Sequence, residues 1–212
     1  MKLYGYWRSS AAYRVRIALN LKNIQCELIS VHLVKNGGEQ HAEEYKALNP
    51  HELVPTLIDS DIVLNQSLAI LEYLEEKHSE TPLLPSNLQD KAAVRALAYD
   101  IACEVHPLNN LRVLQYLSGQ LAVTDEQKTQ WYHHWIKIGF DGLEKKLSKT
   151  AGKYCFGDTV TIADLCLIPQ VYNAHRFNVD MSSYPIINRI VENCNSLDAF
   201  IAALPENQAD AN

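Results

Sequence analysis

The chain is 212 residues long and carries a formal charge of −6, with 19 basic against 25 acidic side chains. That length suffices for a buried core in one large or two small domains, and the acidic balance argues against a nucleic-acid-binding surface. No apolar run approaches a membrane span and no long apolar stretch opens the chain, which predicts a soluble cytoplasmic protein. Five cysteines, Cys26, Cys103, Cys155, Cys166 and Cys194, form no close pair, so reduced and mostly buried thiols are expected, with neither a metal site nor a disulfide framework.

Residues 2–7 read as a strand and break directly into Arg8-Ser9-Ser10-Ala11-Ala12-Tyr13-Arg14-Val15-Arg16. This opens a helix over 10–22 in which Ala11, Val15, Ala18 and Leu19 recur at helical spacing. The first N–H groups of a helix have no partner within it, so the junction suits an anion, and a serine hydroxyl can add one more hydrogen bond. On the plainer reading Ser9 or Ser10 is simply the N-cap. A strand over 26–31, a short helix around 42–48 and strands at 56–58 and 62–64 follow, then a helix from Ser67 with Leu68, Leu71 and Leu74 at helical spacing. The order βαβ then ββα predicts a small mixed sheet with helices on its faces.

Leu53-Val54-Pro55-Thr56 enters a strand through proline. The Val54–Pro55 bond is open to an ordinary trans turn or to a cis form that leaves the Val54 backbone facing outward. Gln66-Ser67 follows a strand and begins a helix, with Ser67 as the expected N-cap, so a second anion-ready helix start falls in the same α/β stretch.

Two prolines in Thr81-Pro82-Leu83-Leu84-Pro85 stop that helix and mark the linker. Beyond it, helices over 87–119 and 125–148 and shorter ones from Ile162, Pro185 and Ser196 predict an all-helical domain, with residues 206–212 frayed. Pro107 lacks an N–H and crowds the carbonyl of Cys103, so the first of these helices should kink there. Around the kink His106, Asn109, Asn110 and Arg112 form a polar cluster, read either as a solvated bend or as part of a site. Thr161-Ile162-Ala163-Asp164 is a capping box with Asp in place of the usual Glu, and its role is structural. Arg176, at the end of the helix it starts, is either solvated or a two-pronged partner for a carboxylate.

Together these segments resemble the cytosolic glutathione transferases along essentially the whole chain. Tyr6-Trp7-Arg8-Ser9-Ser10 with Arg14-Val15-Arg16-Ile17-Ala18-Leu19 is similar to the zeta class, whose best-known members are maleylacetoacetate isomerases. The resemblance implies an α/β plus all-α architecture: a thioredoxin-like glutathione-binding domain over 1–81 and an all-helical substrate-binding domain over 87–212. It further implies a homodimer, a cis Val54–Pro55 bond and glutathione as cofactor. The implied activity is the glutathione-dependent cis–trans isomerisation of a dicarboxylate, maleylacetoacetate to fumarylacetoacetate. Maleylpyruvate isomerase, a general transferase and a non-enzymatic interaction protein on the same fold are the alternatives.

Residue by residue, the resemblance implies that Ser9 stabilises the glutathione thiolate, with Ser10 and the backbone at Ala11 beside it. Gln40 and the Val54 backbone would hold the middle and glycyl end of the tripeptide, and Gln66 with Ser67 the γ-glutamyl carboxylate and amine. His106, Asn110, Leu111 and Arg112 would contribute from the helical domain, and Arg8 and Arg176 would clamp the substrate's carboxylates. Zeta-class enzymes usually carry Ser-Ser-Cys, whereas the third position here is Ala11. Any sulfur chemistry at that point must therefore come from the thiol of glutathione.

Overall fold

The structure is a computed structural model that describes residues 1–211. Strand β1 (Lys2–Gly5) runs into helix α1 (Ser10–Leu21), and β2 (Glu27–Ser30) returns beside β1 in parallel. Parallel neighbours need a crossover of this kind, and α1 supplies it. After the short helix α2 (Glu43–Leu48), β3 (Thr56–Asp59) pairs antiparallel with β1, and β4 (Ile62–Asn65) antiparallel with β3. The sheet order is β2-β1-β3-β4. Leu3 and Leu57 face each other across the β1/β3 ladder and are both buried. Val15, Ile17 and Ala18 of α1 and Ile70, Leu71 and Leu74 of α3 (Ser67–Lys77) are fully buried as well, which is the pay-off of the helical spacing seen in the sequence. The Val54–Pro55 peptide is cis.

The chain packs as two units. One comprises Met1–Pro82 together with the segment from Asn195 onward, and the other Leu83–Cys194. By packing, therefore, the last helix α9 (Asp198–Ala203) joins the α/β unit, whereas the sequence grouped it with the helical stretch. The expectation of a frayed 206–212 is corrected over the described residues. A 3₁₀ turn spans Pro205–Asn207, the Gln208 amide donates to Leu204 O (2.8 Å), and the Asp210 carboxylate accepts from Ser30 Oγ (2.8 Å). A terminal segment stays ordered where it is tied down, and Asp210 ties this one to the end of β2.

In the second unit the helices are α4 (Leu88–Tyr99), α5 (Leu111–Gly119), α6 (Asp125–Thr150), α7 (Ile162–Arg176) and α8 (Pro185–Asn195). The single helix expected over 87–119 is corrected here. It widens into a π turn at Asp100–Val105, tightens to 3₁₀ at His106–Asn109 and restarts as α5. A proline that cannot donate explains the break, because the ladder must be re-registered around it. Two carbonyls around the break accept from side chains: Trp131 Nε1 donates to Leu108 O (2.8 Å) and Asn109 Nδ2 to Val105 O (3.2 Å). Cys155, Cys166 and Cys194 are buried, Cys26 is half-buried and Cys103 exposed, all as free thiols. No described helix is long and apolar enough to cross a membrane.

Candidate active site

In the α/β unit the turn from Tyr6 to Ser9 is closed by Ser9 N–H on Tyr6 O (2.9 Å). It delivers Ser9 to the N-cap of α1, where its Oγ accepts from Ala12 N–H (3.2 Å). The plainer N-cap reading is thus realised at Ser9, and it leaves the hydroxyl proton to donate elsewhere, since a serine oxygen can accept and donate at once. Ser9 is half-buried, Ser10 buried at 5% exposure as the first helical residue, and Ala11 half-buried behind it. Arg8 is aimed by its neighbours: Nε and Nη2 donate to Tyr6 Oη (3.1 and 2.9 Å), and the guanidinium lies 4.7 Å from the Trp7 ring centroid.

The start of α3 corrects one expectation. Gln66, not Ser67, occupies the N-cap position, without a side-chain cap bond, and its backbone sits at φ 68, ψ 110. Such a conformation costs a non-glycine residue on the order of 1–3 kcal/mol, and residues held this way cluster at functional sites. Ser67 is instead the first helical residue, and its buried hydroxyl accepts from Arg14 Nη1 (3.1 Å). That bond fixes the oxygen and directs the Ser67 proton away from Arg14. Neither α1 nor α3 has an acidic residue in its first turn, so both helix dipoles are left to attract an anion from outside the helix.

Gln40 lies in the loop between β2 and α2, at 5% exposure. The loop is laced internally, with His32 N–H on the Glu39 carboxylate (2.7 Å) and Lys35 N–H on His32 Nδ1 (2.9 Å). Gln40 Nε2 reaches His41 Nε2 (2.9 Å) and Leu33 O (3.5 Å), while His41 Nδ1 pairs with the Glu52 carboxylate. A carbonyl only accepts, so the amide nitrogen is the end held by the protein, and Gln40 Oε1 takes no hydrogen bond from any described residue. The hydrogen bond from His41 holds the Glu52 carboxyl below its ordinary value. Gly38, at φ +106, permits this packing, because a Cβ there would lie 2.5 Å from Gln40 Nε2. Val54 is half-buried beside Pro55, and the preceding Leu53 carbonyl is anchored by Tyr45 Oη (2.6 Å) and Asn49 Nδ2 (2.7 Å).

The helical unit holds the remaining candidates. His106 and Asn110 bracket the 3₁₀ turn at Pro107, and Asn110 is the N-cap of α5, with Oδ1 accepting from Arg112 N–H (3.1 Å). Leu111 is half-buried and Arg112 exposed in the first turn of α5. Arg176 closes α7, exposed, with its guanidinium 4.9 Å from the Phe177 ring, which stacks on Tyr132 (3.8 Å, 19°). Burial drives the Tyr132 hydroxyl far above its ordinary range, with the Arg176 charge opposing.

The α/β unit therefore gathers Arg8, Ser9, Ser10, Ala11, Gln40, Val54, Gln66 and Ser67, and the helical unit His106, Asn110, Leu111, Arg112 and Arg176. Sequence reasoning missed Arg14, His41 and Glu52. The signal for Arg14 was its place among apolar positions of α1, which demands an internal partner. For His41 and Glu52 no sequence pattern was available.

Residues 3–82 match the N-terminal domain of glutathione S-transferase, and residues 113–208 its C-terminal domain. The chain belongs to the zeta-class glutathione transferases. It is 56% identical over 209 residues to the probable maleylacetoacetate isomerase of Vibrio cholerae, covering 99% of this chain and 97% of that one. Among solved structures, a holo maleylpyruvate isomerase, a bacterial zeta-class transferase, superposes with TM-score 0.96 at 44% identity over all of both chains. The maleylacetoacetate isomerase of Methylobacterium extorquens AM1, bound to malonate and glutathione, superposes with TM-score 0.95 at 42% identity, again over all of both chains.

Proposed function

We propose that this chain is a glutathione-dependent cis–trans isomerase converting maleylacetoacetate to fumarylacetoacetate in tyrosine and phenylalanine breakdown, in the cytoplasm and as a homodimer. The observation that carries the reading is the pair of helix starts at Ser9 and Gln66-Ser67, both without first-turn acids, in a chain of this family. The presence of glutathione and a dicarboxylate in the Methylobacterium relative supports it.

The residues fit the tripeptide. Gln40 Oε1 is an acceptor without a donor among the described residues, Ser67 Oγ is locked as a donor by Arg14, and the Gln66 backbone is held at positive φ. Glutathione, when bound, supplies a thiolate whose reversible addition to the conjugated cis double bond makes that bond single and free to rotate. Ser9 donates its hydroxyl proton toward the sulfur while the α1 N-terminus favours the negative charge, so the ionised thiol is populated at neutral pH. Arg8, pre-aimed by Tyr6 and Trp7, and Arg176 take the substrate's carboxylates through their guanidinium forks. His106, Asn110, Leu111 and Arg112, in the helical unit, are assigned to glutathione on the family resemblance alone. Ala11 offers no sulfur, so the chain brings no cysteine nucleophile to this turn.

Maleylpyruvate isomerase is the second reading, favoured by the solved relative of that activity. Spectroscopic turnover of each substrate, with and without glutathione, separates the two. Maleylacetoacetate should be the faster, with many turnovers per glutathione at constant free thiol. Stoichiometric thiol loss would point to a conjugating transferase. Arg8→Ala and Arg176→Ala should impair dicarboxylate substrates more than conjugation of a neutral aryl halide. The homodimer is supported by apolar side chains left outward in both units, Ile62 and Val63 on β4 and Leu88 on α4. Sedimentation at micromolar concentration should give twice the chain mass.

A further inference from the structure

The turn that carries Arg8 and Ser9 is held from a distance. Trp7, inside that turn, has both backbone polar groups bound by charged side chains. Its N–H donates to Asp210 Oδ2 (3.2 Å) and its carbonyl accepts from Arg16 Nη2 (3.0 Å). The same guanidinium reaches Tyr6 O (3.5 Å) and, with Nε and Nη2, Ala203 O (3.2 and 3.1 Å). Asp210 is itself tethered by Ser30 Oγ at the end of β2 (2.8 Å). Asp210, from the segment after α9, and Arg16 of α1, itself bonded to the last residue of α9, thus hold the turn through both backbone groups of one residue.

We infer that Asp210 is a positioning residue for the site: by fixing Trp7, it sets where the Ser9 hydroxyl and the Arg8 guanidinium point. The inference rests on the proposed role of Ser9 at a glutathione thiolate. Charge stabilisation of this kind depends on donor placement to a fraction of an ångström, so a loosened turn weakens catalysis without removing any group that touches the ligand.

The test has two readouts besides turnover: amide hydrogen exchange at Trp7 in the free protein, and the ultraviolet pH titration of the thiol in the glutathione complex. Asp210→Ala should speed exchange at Trp7 about tenfold, in line with one lost hydrogen bond. It should also raise the pH midpoint of the bound thiol and lower kcat roughly tenfold with KM for glutathione little changed. Asp210→Asn keeps an acceptor oxygen and should recover most of both. Ser30→Ala frees the carboxylate to turn and should shift exchange and midpoint in the same direction by a smaller amount, which keeps the test decisive if Asp210→Ala does not fold. An unchanged thiol midpoint in Asp210→Ala, or in Ser30→Ala where the former does not fold, overturns the inference. A wild-type complex that shows no lowered thiol midpoint overturns instead the functional reading on which it rests.

Discussion

At the start of α7 the chain supplies its own carboxylate, and at the start of α1 it does not. Asp164, fully buried, accepts from Thr161 N–H (2.8 Å), Thr161 Oγ1 (3.0 Å) and Cys155 N–H (2.8 Å). Burial raises its carboxyl above the ordinary value, and those donors oppose the rise. Ser9 caps α1 with a single accepted bond, in a first turn without acids, and stays half-buried. Two hydroxyl-bearing helix starts thus part company on one question, whether the negative charge that suits them is built in. A helix start becomes a site where the answer is no and solvent can reach it.

The largest effect expected from this contrast is on stability. Asp164→Ala strands two buried backbone donors at about 1–3 kcal/mol each, so unfolding in urea should show a loss of roughly 4 kcal/mol. The same measurement on Ser9→Ala should show only the loss of a cap, about 1 kcal/mol. Its isomerisation barrier should nevertheless rise by about 2–4 kcal/mol, with glutathione binding much less affected. Unchanged turnover would transfer the thiolate donor to Ser10.

A third helix start sharpens the comparison. α5 also lacks a first-turn acid and is capped by Asn110 through Arg112 N–H. Asn110→Ala should cost about 1 kcal/mol of stability, whereas Asn110→Asp keeps the cap. If Asn110 belongs to the glutathione site, the Asp variant should raise KM for glutathione while leaving the urea midpoint near wild type.

The smallest effect is a control within the α/β unit. Asp59 is paired with Lys77 and accepts from Tyr73 Oη (2.7 Å), and these bonds hold its carboxyl below the ordinary 3.8. A lowered folded value means that its stabilisation is fully present above 3.8 and is lost as pH falls through the folded value. Asp59→Asn should therefore be less stable than wild type at neutral pH and converge with it in acid, below the ordinary value.

What the sequence made legible was local. The periodicities of α1 and α3, the strand before each, and the hydroxyls at their starts are all written within a dozen residues. Ser67 is the N-cap that the sequence suggests, but Gln66 takes it, because the positive φ there follows the turn from β4 and has no sequence signature outside glycine or asparagine. Ser67's actual partner, Arg14, lies 53 positions away. Likewise the bond from Arg16 to Ala203 spans 187 positions and that from Trp7 to Asp210 spans 203. Periodicity says which face of a helix is buried, and it is silent on which distant carbonyl or carboxylate a buried guanidinium or amide will meet. Pro107 was legible as a disturbance, but whether the chain bends or re-registers depends on donors such as Trp131 that catch the freed carbonyls.

Because α9 and Asp210 belong with the α/β unit, the order of synthesis matters. A ribosome delivers residues 1–82 first, then the whole helical unit, and only afterwards the segment whose Ala203 carbonyl receives the buried Arg16. The unit made first is consequently completed last, reversing the usual order in which the earlier domain folds before the later one. A nascent chain arrested after residue 82 should still lack the Arg16–Ala203 and Trp7–Asp210 bonds, and limited proteolysis of such a stalled complex should cut it more readily than the finished protein.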